Sequence, residues 1–152
     1  MSYVDRVLQP GEHVVVRAAL HWVVYKTGFT ALFGAIIVGA ASRHAPGLEW
    51  AILTVALALL VFALALLLRA WWQWWGTEIA VTDRRIIYKR GVIRRRTVEM
   101  NLEQIESVQV DQSILGRILG FGDITVHGTG EGIENIRQIA QPVTVRSAVT
   151  AR

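Results

Sequence analysis

Two long apolar runs, separated by a five-residue polar break, constrain this chain more than any other feature. They cover residues 22–42 and 48–68, and a helix of this length spans about 31 Å at about 1.5 Å per residue. From residue 27 to residue 68 the only formally charged residues are Arg43 and Glu49. Runs of this length and composition predict two helices that each cross the hydrocarbon core of a membrane. A buried helical hairpin in a soluble protein is the less favoured alternative.

The break between the runs, residues 43–47, holds Pro46 and Gly47 and is short enough to require an antiparallel return. Small residues recur along both runs at spacings that place them on one helix face. Such faces let two helices approach closely in a membrane. We therefore predict that the helices pack through Ala31, Ala35 and Gly39 in the first run and Ala56, Ala63 and Ala70 in the second.

Aromatic and basic residues flank the apolar runs. Indole rings settle at the level of the lipid headgroups, and a lysine near a helix end extends its ammonium group to the interface. The connecting loop carries one arginine whereas the flanking segments carry many basic residues, so the positive-inside rule places both termini in the cytoplasm. The predicted interface anchors are Trp22, Lys26, Trp71, Trp72, Trp74 and Trp75.

Outside the apolar segment, short β-branched stretches alternate with turn residues. Residues 13–20 form such a stretch, and we predict a strand that joins the main sheet; an extension of the first membrane helix is the alternative. The later pattern predicts a small antiparallel sheet or partial barrel with a C-terminal helix. Its strands are predicted at 78–82, 85–90, 92–100, 105–111, 123–127 and 133–139, with helices at 113–119 and 143–152.

The chain therefore divides into three predicted parts. Residues 1–21 are a cytoplasmic lead segment, residues 22–75 are the transmembrane helical hairpin with an aromatic belt at 71–75, and residues 76–152 are a cytoplasmic domain. We expect an α+β membrane protein whose hairpin is inserted between the lead strand and the rest of the sheet.

Two ordered stretches resemble the bacterial pleckstrin-homology-like (PH-like) membrane protein family, and so does the order of lead strand, two membrane helices and β domain. The resemblance covers about residues 10–148. It implies a PH-like sheet packed against a helix, a membrane scaffold or assembly factor in the bacterial inner membrane, and no catalytic set. The first stretch is Thr82-Asp83-Arg84-Arg85-Ile86-Ile87-Tyr88, followed by Arg90-Gly91-Val92-Ile93-Arg94-Arg95 and then by Leu102 and Ile105-Glu106-Ser107-Val108. The second is Gln112-Ser113-Ile114-Leu115-Gly116-Arg117-Ile118-Leu119-Gly120-Phe121-Gly122-Asp123-Ile124.

Seven basic residues lie within thirteen positions, on the predicted hairpin that follows the second apolar run. Each basic residue near a membrane contributes about 1 kcal/mol of attraction to anionic lipids, so we predict a contact surface for anionic headgroups or an acidic partner. Ion pairs with Glu99, Glu103 or Glu106, or a solvated strand face, are the alternatives. Nucleic acid is disfavoured because Tyr88 is the only aromatic residue among them. The seven are Arg84, Arg85, Lys89, Arg90, Arg94, Arg95 and Arg96.

A second candidate surface is the short predicted helix and the phenylalanine after it. Core packing is the simpler interpretation, and a docking patch for another membrane protein is the alternative. The candidate patch comprises Ile114, Leu115, Arg117, Ile118 and Phe121.

Nothing in the sequence indicates catalysis, a metal site or a cofactor. The chain has no cysteine, and its four histidines are scattered without ligand spacing. The glycine-rich stretch at 128–132 lacks the Lys-Ser/Thr of a phosphate-binding loop, so we predict a hairpin turn there. We expect a non-enzymatic scaffold or accessory subunit whose partners are the bilayer and another membrane protein; a homo-oligomer stays open.

Overall fold

The computed structural model describes residues 3–92, 95–129 and 133–151. The chain divides into two compact units. One is the helical unit of residues 22–72, and the other joins residues 1–21 to residues 73–152 and contains the sheets.

Five helices and seven strands make up the described chain, with 3-10 turns at Trp22–Tyr25, Ser42–His44 and Leu102–Gln104. In chain order they are α1 (Tyr3–Val7), β1 (Val14–Ala18), α2 (Lys26–Ala41), α3 (Glu49–Trp75), β2 (Glu78–Thr82), β3 (Arg85–Arg90), β4 (Arg96–Asn101), β5 (Ile105–Asp111), α4 (Ile114–Leu119), β6 (Phe121–Gly128), β7 (Ile133–Ala140) and α5 (Pro142–Thr150).

In the helical unit, α2 and α3 approach each other through small residues. A Cβ added to Gly28 would lie 2.5 Å from Cδ2 of Leu67, and one added to Gly39 would lie 3.6 Å from Cβ of Ala56. The second contact is eleven residues later in α2 and eleven residues earlier in α3, which is the register of an antiparallel pair. The predicted small-residue packing is confirmed for Ala35, Ala56, Ala63 and Ala70, which are buried, whereas Ala31 and Gly39 are half-buried.

Both helices are long and apolar enough, by length and composition, to cross a membrane; the candidate segments are Trp22–His44 and Glu49–Gly76. Their large apolar side chains, among them Phe33, Ile36 and Leu57, are exposed rather than packed. A hairpin that formed the core of a soluble protein would bury these side chains.

The seven strands form two antiparallel sheets, ordered β1-β2-β3-β4 and β5-β6-β7. The sequence predicted a small antiparallel sheet or a partial barrel, and the strands are divided between two sheets at the 3-10 turn Leu102–Gln104, which lies between β4 and β5. The strands predicted at 78–82, 85–90 and 105–111 are confirmed at their residue bounds, and β4 is shorter than predicted. One core joins both sheets to α5: Ile79, Val81, Ile86, Tyr88, Ile124, Val126, Ile136, Ile139, Val145 and Val149.

The lead strand pairs as the sequence predicts. β1 lies antiparallel to β2, with Arg17 opposite Ala80 and Ala18 opposite Ile79. Two strands that are neighbours in the sheet are therefore separated in sequence by the whole apolar hairpin. The alternative interpretation, in which this stretch extends the first helix, is wrong.

The segment before β1 is more ordered than the sequence suggests. Residues 1–12 read as a polar lead-in, yet Tyr3–Val7 is helical and Val4 is buried. The carboxylate of Glu78 accepts a hydrogen bond from the backbone N–H of Tyr3 at 2.8 Å.

Ala80 and Ile87 alternate with the core residues of their strands and are also fully buried, so both faces of the first sheet are covered.

Candidate functional site

The strand register gives the first sheet two distinct ends. At one end β1 stops at Ala18 and β2 starts at Glu78, and beside them β3 ends at Arg90 opposite Arg96 of β4. The chain leaves β1 for the apolar hairpin and returns from it to β2 at this end, which we call the anchor end. The opposite end carries the turn between β2 and β3.

The seven basic residues predicted to contact anionic headgroups or an acidic partner do not form one cluster. Arg90, Arg95 and Arg96 are exposed beside the anchor end. Arg84 is exposed at the opposite end of the sheet, in the turn between β2 and β3, while Arg85 and Lys89 are largely enclosed. Arg94 lies outside the described residues.

Arg85 is held by Glu12 rather than offered to a ligand. Its Nε donates to Oε1 of Glu12 at 3.0 Å and its Nη2 donates to Oε2 at 2.9 Å. Nη2 also donates to the carbonyl of Val7 at 2.8 Å, and Nη1 donates to Glu99 at 2.8 Å. The side chain of Arg85 is 12% exposed and that of Glu12 is fully buried. Arg85 therefore fastens the N-terminal segment to the sheet.

The Glu12 carboxylate accepts four hydrogen bonds, two of which come from Arg85. Besides Arg85, the hydroxyl of Thr82 donates to Oε1 at 2.8 Å and the backbone N–H of Gln9 donates to Oε2 at 2.8 Å. Burial by itself raises the pKa of this carboxyl, but the hydrogen bonds from Arg85, Gln9 and Thr82 outweigh burial and lower the pKa to about 2. The same pairing raises the pKa of Arg85 above its usual value.

Two other basic residues of the set also have acidic neighbours. Lys89 lies 3.4 Å from the carboxylate of Glu78, and its Nζ sits 5.1 Å above the centroid of the Tyr3 ring. Arg96 lies 3.4 Å from the carboxylate of Glu134, but its side chain stays 73% exposed. The contact with Glu134 is thus a surface pair of small energetic weight.

Where the chain leaves β1, it is tied to the second sheet and to the end of α3. Leu20 forms a bridge with Ile139 of β7, and the backbone N–H of His21 donates to the carbonyl of Gln138 at 2.7 Å. The indole Nε1 of Trp74 donates to the carbonyl of Leu20 at 2.9 Å. Both crossings between the sheets and the apolar segment are therefore anchored at one place.

An irregularity in β7 makes this joint possible. Gln138 has a φ of 58°, in the left-handed region that non-glycine residues rarely adopt. Its N–H is turned to the carboxylate of Asp123, which accepts at 2.8 Å, and its carbonyl accepts from His21. The register between β6 and β7 shifts beside it, between Gly122 and Ile124. A β-bulge with this geometry re-aims the backbone toward the segment that it holds.

The candidate docking patch lies next to the same joint. The ring of Phe121 stacks on that of His21 with centroids 5.2 Å apart. The core-packing interpretation of α4 is wrong because the helix contacts β6 through its glycine: a Cβ on Gly116 would lie 2.6 Å from the carbonyl oxygen of Phe121. The helix therefore turns its aliphatic side chains outward; Ile114 is 82% exposed, Leu115 66%, Ile118 74% and Leu119 44%. Arg117 is exposed as well.

The family described as Bacterial PH domain matches residues 17–151, from within β1 to the end of α5. The chain belongs to the bacterial PH domain family. The matched range includes the apolar hairpin as well as both sheets, so the resemblance seen in the sequence is confirmed. No curated protein and no solved structure matches the chain.

Across residues 3–92, 95–129 and 133–151, no group of three or more His, Cys, Asp or Glu side chains is placed to hold a metal ion. The predicted turn after Gly128 falls mostly outside the described residues.

Sequence reasoning missed three residues on which the domain depends. Glu12 follows Gly11 in what reads as an ordinary polar turn, and nothing local indicates a buried acid there. Asp123 and Gln138 look like surface residues of two strands. The one signal in the sequence that could have pointed to Glu12 was the excess of arginine around residue 85. An arginine that becomes buried requires an acidic partner.

Proposed function

We propose that this protein is a two-span anchor of the bacterial inner membrane that presents its PH domain at the cytoplasmic face to another protein, and that it has no enzymatic activity. Membership of the family supports a module that interacts with proteins or associates with membranes. The carboxyl group of Glu12, whose pKa is lowered to about 2, is enclosed by donors of its own chain, so it is a structural acid rather than a candidate general base.

The observation that carries the proposal is the insertion of the apolar hairpin between two hydrogen-bonded strands. β1 and β2 are paired from Val14 to Ala18, and the whole of α2 and α3 is inserted between them. A hairpin with exposed apolar faces is stable in lipid and not in water. Because the chain continues from both ends of the hairpin into the sheet unit, the hairpin fastens the domain to the bilayer at two points.

Thiol labelling tests the anchor and its orientation, since the chain has no cysteine of its own. Single variants His44→Cys, in the loop between the helices, and Arg84→Cys, in the sheet unit, are expressed in full-length protein in bacterial cells. A membrane-impermeant maleimide should label position 44 in intact spheroplasts and position 84 only after lysis. Labelling of both positions, or the reverse pattern, contradicts the proposed topology.

Two open sheet edges support a role in protein binding. Within the described residues, β4 and β5 each have a neighbouring strand on one side only, whereas β1 and β7 meet through the Leu20–Ile139 bridge. An unpaired edge offers its N–H and C=O groups to a strand of a partner. We expect the partner to bind along β4 or β5.

Photo-crosslinking in native membranes tests this surface. A photoreactive residue replaces Asn101 in β4 or Gln109 in β5, and the exposed Arg146 of α5 serves as the control position. The same adduct should form from position 101 or 109 in each preparation and be absent at 146. Absence of any adduct at all three positions, with the protein purifying alone in mild detergent, contradicts a scaffold function.

Anionic lipid is a second candidate ligand, favoured by the exposure of Arg90, Arg95 and Arg96 beside the anchor end. A fragment from residue 76 onward would lack β1 and Glu12, so full-length protein in nanodiscs is the appropriate sample. An environment-sensitive label at Thr97→Cys should shift more as the anionic lipid fraction rises and less as salt rises.

Charge removal separates this lipid contact from a general effect of net charge. Neutralising Arg90, Arg95 and Arg96 to glutamine should remove the lipid-dependent shift of the label. Arg84→Gln removes one exposed charge from the opposite end and should leave the shift unchanged. An equal response in both variants argues against a lipid contact at the anchor end.

A further inference from the structure

We propose that α4 is an interfacial membrane element whose Ile114, Leu115, Ile118 and Leu119 enter the boundary between lipid headgroups and acyl chains. This inference rests on the proposed membrane anchor and adds to it a third contact with the bilayer, made by the PH domain itself.

The outward orientation of these side chains is held by specific contacts. Ser113 caps the helix by accepting from the N–H of Gly116 at 3.0 Å, and Gly120 ends it with a φ of 76°. Gln112 donates from Nε2 to the carbonyl of Phe121 at 3.0 Å. With Gly116 pressed on that carbonyl, the helix cannot roll over to bury its aliphatic face. The aliphatic face of α4 is therefore exposed because of how the domain folds.

The position of α4 follows from contacts inside the sheet unit. Phe121, two residues beyond the helix, stacks on His21. The residue that follows His21 in the chain, Trp22, begins the first candidate span. The carbonyl of Gly120 accepts from Gln141 at 2.8 Å, next to Ala140, whose N–H donates to Ala19 at 3.0 Å. If the bilayer begins at Trp22, α4 lies at the level of its headgroups.

Lipid fits this surface better than a protein does. A specific protein interface uses about 20–30 residues on each side, whereas α4 has six residues. A bilayer requires no shape complementarity from the element that enters it. Arg117 stands within the aliphatic set, where a long cationic side chain covers apolar surface and reaches the phosphates.

Fluorescence of single-cysteine variants tests the proposal in full-length protein. Leu115→Cys, Ile118→Cys, Leu57→Cys and Arg84→Cys, all at exposed positions, are labelled with an environment-sensitive fluorophore. Each variant is reconstituted into vesicles of phosphatidylcholine and phosphatidylglycerol. Lipids carrying a nitroxide high on the acyl chain quench labels in the membrane, and iodide quenches labels in water.

We expect labels at 115 and 118 to show blue-shifted emission, strong loss of emission with nitroxide lipids and little loss with iodide. The label at 84 should show the reverse, and the label at 57 should be quenched by lipid because it reports the span. Quenching at 57 with water-like labels at 115 and 118 overturns the proposal for α4 and leaves the anchor intact.

Two other results would overturn the proposal for α4. A water-like label at 57 overturns the membrane anchor and the interfacial helix together. Labels at 115 and 118 that are shielded from iodide but not quenched by nitroxide lipids indicate that protein, in the form of a second copy, covers α4, and that overturns the lipid assignment.

Discussion

The carboxylate of Glu12 and the guanidinium of Arg85 meet in a two-point contact, although 73 residues separate them in the chain. The contact closes the N-terminal segment over the first sheet of a domain whose sequence is interrupted by the apolar hairpin. It also removes Arg85 from the basic surface that its sequence neighbourhood suggests. Two adjacent arginines, Arg84 and Arg85, thus have different roles.

Removing the carboxylate should destabilise the sheet unit strongly. Glu12→Ala removes the buried carboxylate and leaves the largely enclosed Arg85 with the partly exposed Glu99 as an acidic neighbour; breaking a buried pair costs about 3–5 kcal/mol. Hydrogen exchange of β2 and β3 amides in full-length protein in mild detergent measures the loss as a lower free energy of opening. Glu103→Ala removes an exposed acid and should change it by less than about 0.5 kcal/mol. Equal effects of the two substitutions would contradict the structural role of Glu12.

Acid should weaken the same unit over a defined pH range. The pKa of the Glu12 carboxyl is about 2 in the folded protein, against an ordinary value of 4.5. Between pH 2 and pH 4.5 this carboxyl is therefore protonated in the unfolded chain and ionised in the folded one. Its contribution, about 3 kcal/mol, is complete above pH 4.5 and is lost as the pH falls toward 2.

The difference in opening free energy between wild type and Glu12→Gln, measured by hydrogen exchange, isolates this contribution from the other acids. That difference should shrink across the stated range as the pH falls. A difference that is constant with pH would show that Glu12 is not ionised in the folded domain.

The helical unit should depend on one of its glycines and not on another. Gly28→Ala places a Cβ 2.5 Å from Cδ2 and 3.2 Å from the backbone nitrogen of Leu67, so the Leu67 side chain or α2 itself must shift. Overpacking of this kind costs about 1–3 kcal/mol. Gly34→Ala meets no atom within 4 Å and is the matched control.

All six tryptophans lie between residues 22 and 75, so tryptophan emission reports on the hairpin. In an SDS titration of full-length protein, the emission change should occur at lower SDS for Gly28→Ala than for wild type and Gly34→Ala. Coincident curves would mean that the two helices do not approach at Gly28.

The bulge in β7 should prefer glycine. Gln138→Gly removes the cost of a left-handed conformation without removing the backbone hydrogen bonds to Asp123 and His21, so stability should be kept or increased. Gln138→Val should lose about 1–3 kcal/mol because a β-branched residue is poorly tolerated there. Arg137→Val, an exposed neighbour, is the control. The readout is hydrogen exchange at the amide of His21, and similar exchange in all three variants would argue against the bulge as a joint.

Local patterns predicted most of the elements of this domain. The strands at 78–82, 85–90 and 105–111 carry their own turn residues and β-branched composition, and the structure keeps their bounds. The split into two sheets was not predictable, because the turn at Leu102–Gln104 has no glycine or proline to mark it. Nor was the left-handed Gln138, whose conformation is imposed by Asp123 and His21 from other elements.

By itself the sequence determined the apolar hairpin and the pairing of its small residues, because hydropathy and helical spacing are properties of consecutive residues. It also determined that a lead strand precedes the hairpin and the main domain follows it. Only the tertiary structure decided which arginines are available and which way α4 faces. Burial depends on what covers each face of a strand or helix, and the covering groups here, Glu12 over Arg85 and β6 against Gly116, are supplied by other parts of the fold.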